Sequence, residues 1–205
     1  MVLAFDGMRE DDFDMKKFEL WKNGKTGYPL VDACMRALKE EGWLNFRMRA
    51  MVVSFASYNL WLDWKKTSKV LAGYFTDYEP GIHYNQIQMQ SGVTGINTIR
   101  IYNPTKQLMD HDPRGTFVRK WCPELKDVPD DFLAQPHMLP VAAQKKYNCI
   151  VGEDYPSISV DLLQSSKFAR DKIYTIKSLP NTRIQSLAAY ELHGSRKKNR
   201  NKYRS

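Results

Sequence analysis

The stretch Tyr28-Pro29-Leu30-Val31-Asp32-Ala33-Cys34-Met35-Arg36-Ala37-Leu38-Lys39-Glu40-Glu41-Gly42 decides the class of the fold. Proline suits the first turn of a helix, where its missing N–H has no partner to lose. Glycine suits the position past the last turn, where the chain turns left-handed. Between them Val31, Cys34, Met35 and Leu38 recur at spacings of three and four, which is one apolar helical stripe. A second, longer helix is expected from about Leu44 to Trp64, with Met48, Met51, Val52, Phe55, Tyr58 and Leu62 as its stripe. It is apolar over more than one face, and Ala50, Ser54 and Ala56 admit close neighbours, so it belongs near the centre of the domain.

Outward from these two, shorter helices are expected around Ser68 to Phe75, Ile82 to Gln90, Pro104 to Met109 and Thr116 to Trp121, and another from about Val160 to Ile176. Asp77-Tyr78-Glu79-Pro80-Gly81 reads as a loop because of its Pro-Gly pair. Residues 122–140, rich in Pro and Asp, read as surface connection. Strand alternation is nearly absent. The fold class is all-α: one helical domain over 1–178 and a basic, flexible C-terminal tail over 179–205.

Composition agrees with one domain. The chain has 205 residues, 42% apolar and 26% charged, enough for a sizeable core and too apolar for overall disorder. No apolar run is long enough to span a membrane, and the N-terminus carries no basic leader, so no membrane or secretory destination is expected. Cys34, Cys122 and Cys149 are odd in number and widely spaced, which fits reduced thiols in a reducing, cytoplasmic setting. The four histidines, His83, His111, His137 and His193, show no ligand spacing, and no metal is expected. The net charge is +8, and Ser195 to Ser205 alone holds six Lys/Arg and no acid. Such an end is either solvated or an arm with salt-sensitive affinity for nucleic acid.

The chemistry is most legible in charges placed where packing should be. Arg47 and Arg49 interrupt the most apolar helix, and residues two apart on a helix point about 200° apart, so both cannot face solvent if both flanks are packed. A buried guanidinium needs a carboxylate, and Asp77 and Glu79 are the candidates. The pair reads either as a brace between helix and loop or as a clamp lining a pocket for a planar, hydrogen-bonding ligand. Gln86, Gln88 and Gln90, interleaved with Ile87 and Met89, suit a heterocycle that is both stacked and hydrogen-bonded.

Trp21-Lys22-Asn23-Gly24-Lys25-Thr26-Gly27-Tyr28-Pro29-Leu30-Val31-Asp32-Ala33-Cys34-Met35-Arg36 resembles the W-x-x-G-x-T-G-x-P-x-V-D-A-x-M-R signature of the photolyase/cryptochrome flavoproteins. The resemblance continues through Gly42-Trp43, Arg47-Met48-Arg49, Asp63-Trp64, Arg100-Ile101-Tyr102-Asn103-Pro104, Gln107, Trp121 and Tyr155-Pro156, over about residues 18 to 165. It implies FAD held in a helical domain. It also implies light-driven electron donation to a flipped pyrimidine dimer in DNA, the activity of a deoxyribodipyrimidine photo-lyase. The alternatives are the signalling photochemistry of a cryptochrome and a fragment unable to bind flavin alone.

Position by position, the resemblance implies that Arg49 faces the flavin and pairs with Asp77, with Tyr78 and Glu79 beside it. Phe46 and Arg47 fall where the family meets lesion and DNA, and Arg100 and Gln107 fall at further DNA-side positions. Trp64 matches an electron-relay tryptophan. The asparagine that usually faces the flavin corresponds to Tyr84 without a gap and to Asn85 with a one-residue slip. Ile87 and Met89 stand where the family carries aromatics, so the relay is broken, or rerouted through Trp61 or Tyr84. The resemblance reaches only the later part of the flavin domain. The antenna domain and the phosphate-binding loop have no counterpart in these residues, which implies either a fragment or a short member completed by a partner chain.

Overall fold

The computed structural model describes residues 2–193 of the chain. Its helices are α1 (Leu3–Asp6), α2 (Met15–Lys22), α3 (Pro29–Glu41), α4 (Phe46–Ser54), α5 (Trp64–Tyr74) and α6 (Pro80–Ser91). They are followed by α7 (Pro104–His111), α8 (Thr116–Trp121), α9 (Asp130–Leu133), α10 (Val141–Lys146), α11 (Leu162–Ser178) and α12 (Pro180–His193). Among the described residues the only extended pairing is an isolated bridge between Val151 and Tyr155. The architecture is all-α.

The α3 helix has the ends its sequence calls for: Pro29 opens it, and Gly42 closes it at φ 72°. Val31, Cys34, Met35 and Leu38 are fully buried, and the helix packs against α4, α7 and α8. Asp32 lies in the same buried face and is the polar hub of the fold. Its carboxylate accepts hydrogen bonds from Thr26 N (2.7 Å), Thr26 Oγ1 (2.6 Å), Gly27 N (3.0 Å) and the Tyr155 hydroxyl (2.6 Å). Burial pushes its pKa up, and these donors and Arg36 pull against that.

The long helix expected from Leu44 to Trp64 is broken. The α4 helix begins after Asn45, whose side chain accepts from Met48 N, and runs to Ser54. A π-helical turn follows over Phe55–Asn59, then a left-handed Trp61 at φ 56°, and Asp63 caps the start of α5. Apolar periodicity ran through this break because residues on both sides of it are core: Phe55, Ala56, Tyr58, Leu60 and Leu62 are all buried. The interruption is polar. Ser54 Oγ donates to Arg100 O and accepts from Tyr102 N, Asn59 donates to Ser165 and Ser166, and Arg9 donates to the carbonyls of Ser57 and Ser91.

Two other expectations are corrected. Pro80 does not end structure but opens α6, because the Glu79 side chain caps that helix by accepting from Gly81 N (3.0 Å) and Ile82 N (2.6 Å). Residues 122–140 are more than surface connection: Cys122, Leu125, Val128 and Leu133 enter the core from short 3-10 and α turns.

The tail expected to be flexible from 179 carries α12 over Pro180–His193. Its packed face is made of Thr182, Ser186 and Ala189, which are too small and polar to give an apolar stripe in sequence. The basic run from Ser195 lies outside the described residues. Among the described residues no helix is long and apolar enough to cross a membrane, and no group of His, Cys, Asp or Glu is arranged to hold a metal ion.

Candidate functional site

A cavity of about 370 Å³ opens between the start of α4, the end of α5 and the first three turns of α6. Ala50 and Val53 of α4, Phe75 and Ile87 form its apolar floor. Large apolar side chains stand exposed at its mouth, Phe46 at 65% and Ile82 at 66%, with Trp43 and Tyr78 beside them. Exposed aromatic and aliphatic groups around a concave apolar surface are what a bound organic ring would cover.

The wall carries an ion pair. Arg49 Nη2 donates to Asp77 Oδ2 at 2.8 Å, its Nε donates to Leu44 O at 2.6 Å, and its guanidinium lies 4.1 Å from the centre of the Phe75 ring. The pair expected from sequence is therefore formed, but it is not deeply buried: the Arg49 side chain is 28% exposed and that of Asp77 49%. The Asp77 carboxyl is held below the usual carboxylate range by the hydrogen bond from Arg49.

His83 also lines the cavity and is buried. Its Nε2 lies 3.0 Å from Ser68 O in α5. A carbonyl oxygen can only accept, so Nε2 carries the proton and Nδ1 is the acceptor of the neutral ring. Desolvation and the nearby Arg49 lower its pKa. The imidazole stands edge-on to Phe75, Tyr78 and Tyr84. Gln86 and Gln90 complete this face of α6.

Of the sequence candidates, Phe46, Arg49, Asp77, Tyr78 and Glu79 line the cavity together. Tyr84 does not; it is half-buried behind Tyr78 and His83. Asn85 does not either, being exposed with its amide turned back to Gly81 O. The helical period explains why: Ile82, His83, Gln86, Ile87 and Gln90 share one face of α6, and Tyr84 and Asn85 fall off it. Gln88 and Met89 are off it too.

Arg47 is exposed in the first turn of α4, outside the lining, and Arg100 is exposed, with its carbonyl accepting from Ser54. Gln107 is half-buried in α7, and its Oε1 has no partner among the described residues. Trp64 lies outside the cavity wall, and its indole N–H donates to Asp6 at 3.1 Å.

The chain matches the sequence model of the FAD binding domain of DNA photolyase over residues 3–175. It belongs to the photolyase/cryptochrome family. Within that family it is 38% identical to a cryptochrome DASH of Synechocystis over 161 residues, covering 78% of this chain and 33% of that protein. It is 35% identical to a deoxyribodipyrimidine photo-lyase of Alkalihalophilus pseudofirmus, covering 80% and 35% of the two chains. The crystal structure of a class III photolyase from Agrobacterium tumefaciens superposes with a TM-score of 0.76 at 30% identity, covering 85% of this chain and 37% of that one. This photolyase-family chain thus spans about a third of the length of the curated relatives it matches.

FAD is the cofactor of the matched domain, and the cavity fits its ring system. The floor is apolar, the guanidinium–carboxylate pair offers both a donor and an acceptor, and two amides stand beside them. The same wall suits a diphosphate poorly, since Arg49 is already engaged by Asp77 and burial disfavours the charged form of His83.

Proposed function

We propose that this chain forms the ring-binding side of a flavin cavity that serves light-dependent repair of pyrimidine dimers in DNA. The observation that carries the reading is the Arg49–Asp77 pair, set over Phe75 in a cavity with an exposed apolar collar. Bound FAD supplies light absorption and one-electron transfer. The chain's own residues supply the rest. Arg49 and Asp77 fix the hydrogen-bonding edge of the ring, with Tyr78 and Glu79 beside them. Ala50, Val53, Phe75 and Ile87 exclude water from its face. Phe46 at the mouth meets a flipped base, and Arg47, Arg100 and Gln107 meet the DNA strand. The diphosphate is held by further polypeptide, from the same protein or from a partner chain.

Local charge favours one relay tryptophan over the other. The Arg9 guanidinium lies 4.5 Å from the centre of the Trp61 ring, and a cation there raises the cost of removing an electron. The Trp64 N–H faces the Asp6 carboxylate, which lowers that cost, although Lys65 Nζ, 2.9 Å from Asp6, offsets part of the effect. Trp64 is the better relay. A cryptochrome-type photoreceptor is the second reading, favoured by Ile87 and Met89 standing where the family carries aromatics.

The test is FAD binding by the purified chain, followed by blue-light repair of dimer-containing oligonucleotides. Flavin retained with repair supports the first reading, and flavin retained with photoreduction but no repair supports the second. No affinity for FAD, nor for riboflavin, which needs no diphosphate cradle, in a folded chain would overturn both.

A further inference from the structure

Positive charge is gathered at one end of this chain. From Leu162 onward there are eleven Lys/Arg and two acids, Asp171 and Glu191, so the preceding residues are close to neutral as a set. A second cavity, of about 580 Å³, lies in this region, between the turn at Gly95 and Ile96, the end of α11 and one face of α12. The rings of Tyr174 and Tyr190 line it at 57% and 52% exposure, and neither packs on another ring among the described residues. Lys177 and Arg183 line it as well, and neither is in an ion pair among the described residues. The buried Ser186 Oγ at its edge has no hydrogen-bond partner among the described residues. Leu187 and Ile96 add apolar surface, beside the polar Ser178.

We infer that this α11–α12 groove is a binding site for single-stranded nucleic acid, separate from the flavin cavity. The chemistry is complementary in both parts of a nucleotide. Exposed tyrosine rings accept stacked bases without regard to sequence, and unpaired cations beside them neutralise phosphates. A duplex keeps its bases stacked on each other and offers the rings nothing, so the groove selects single strands. The site draws on α12, which lies beyond the matched domain, and does not depend on flavin.

The experiment uses the full 205-residue chain, without flavin and in the dark, titrated into fluorescein-labelled oligothymidylate and into an undamaged duplex of equal length. Single strand is expected to bind more tightly and to quench tyrosine fluorescence. Tyr190→Leu and Tyr174→Leu should each weaken single-strand affinity about tenfold, with the duplex little changed. Lys177→Gln with Arg183→Gln should weaken single-strand binding more than Lys167→Gln with Arg170→Gln, which removes the same charge outside the groove. Circular dichroism checks that each variant is folded. Equal binding of duplex and single strand, tyrosine variants that bind like the parent, or charge variants that cannot be told apart would each overturn the inference. So would failure to bind any oligonucleotide at low salt. None of these results bears on FAD affinity, so this site and the flavin reading stand or fall separately.

Discussion

Arg49 and Asp77 are 28 residues apart in sequence and 2.8 Å apart in space, joining the first turn of α4 to the loop that launches α6. The same guanidinium rests on Phe75, so one side chain ties the cavity's charged wall to its apolar floor. Because the Asp77 side chain is half-exposed, this is a cavity-shaping contact more than a fold-holding one.

Arg49→Ala is therefore expected to fold. Were the pair deeply buried, losing one partner would cost about 3–5 kcal/mol. With Asp77 open to water, the stability cost is instead about 1 kcal/mol or less. Affinity for FAD should fall at least tenfold. Urea melts and equilibrium dialysis measure the two effects, and a collapse in stability alongside lost binding would refute the assignment of roles.

Glu79→Ala removes the side chain that caps α6 and should cost about 1 kcal/mol. Glu79→Asp, which preserves a capping carboxylate, should restore most of it. Thermal melts of the three proteins decide the matter, and equal melting of Glu79→Ala and the parent would show that the cap contributes nothing.

Acid should destabilise the chain through His83. Its folded pKa lies below the unfolded value of about 6.5, so the unfolded chain binds the proton more readily. The stability contributed is complete above that value and is lost as pH falls through it toward the folded pKa. His137, also lowered by desolvation, adds a slope of the same sign. The comparison is therefore between parent and His83→Gln, whose stability should decline less between pH 7 and pH 5. Identical slopes would mean that His83 titrates as it does in water.

Tyr155→Phe removes one of the donors to Asp32 and leaves the ring in place. A hydrogen bond to a buried carboxylate is worth about 1.5–3 kcal/mol, and the loss should fall in that range. Chemical denaturation measures it. A neutral substitution would show that water or Arg36 replaces the hydroxyl.

Much of the molecule was readable in advance where one physical signal dominated. The α3 helix has a proline, a glycine and an unbroken stripe, and it was found almost to the residue. The pairing of Arg49 with Asp77 followed from the cost of an unpaired charge. What escaped was governed by signals that compete. The break at Phe55–Asn59 is hidden because a segment buried on all sides keeps its apolar pattern through a π turn. The α12 helix was missed because its packed face is Thr182, Ser186 and Ala189 while its apolar side chains point outward. His83 lies inside the helix expected over Ile82 to Gln90, but it has no ligand spacing and nothing in the sequence marks it as a wall residue.

The Asp32 hub also bears on how the chain is made. Tyr155 reaches Asp32, the Tyr28 hydroxyl donates to Val160 O, and Ser159 N donates to Thr26 O, so the early signature segment is latched by residues more than 120 positions later. On a ribosome, α3 emerges long before its latch does. Until residues 155–160 arrive, an intermediate must either keep Asp32 wetted or carry a poorly satisfied charge in its nascent core. Contacts so distant in sequence slow the final step of folding and lengthen the exposure of apolar surface. Truncating the chain before Tyr155 should therefore yield a species that is helical but loosely packed and prone to aggregate.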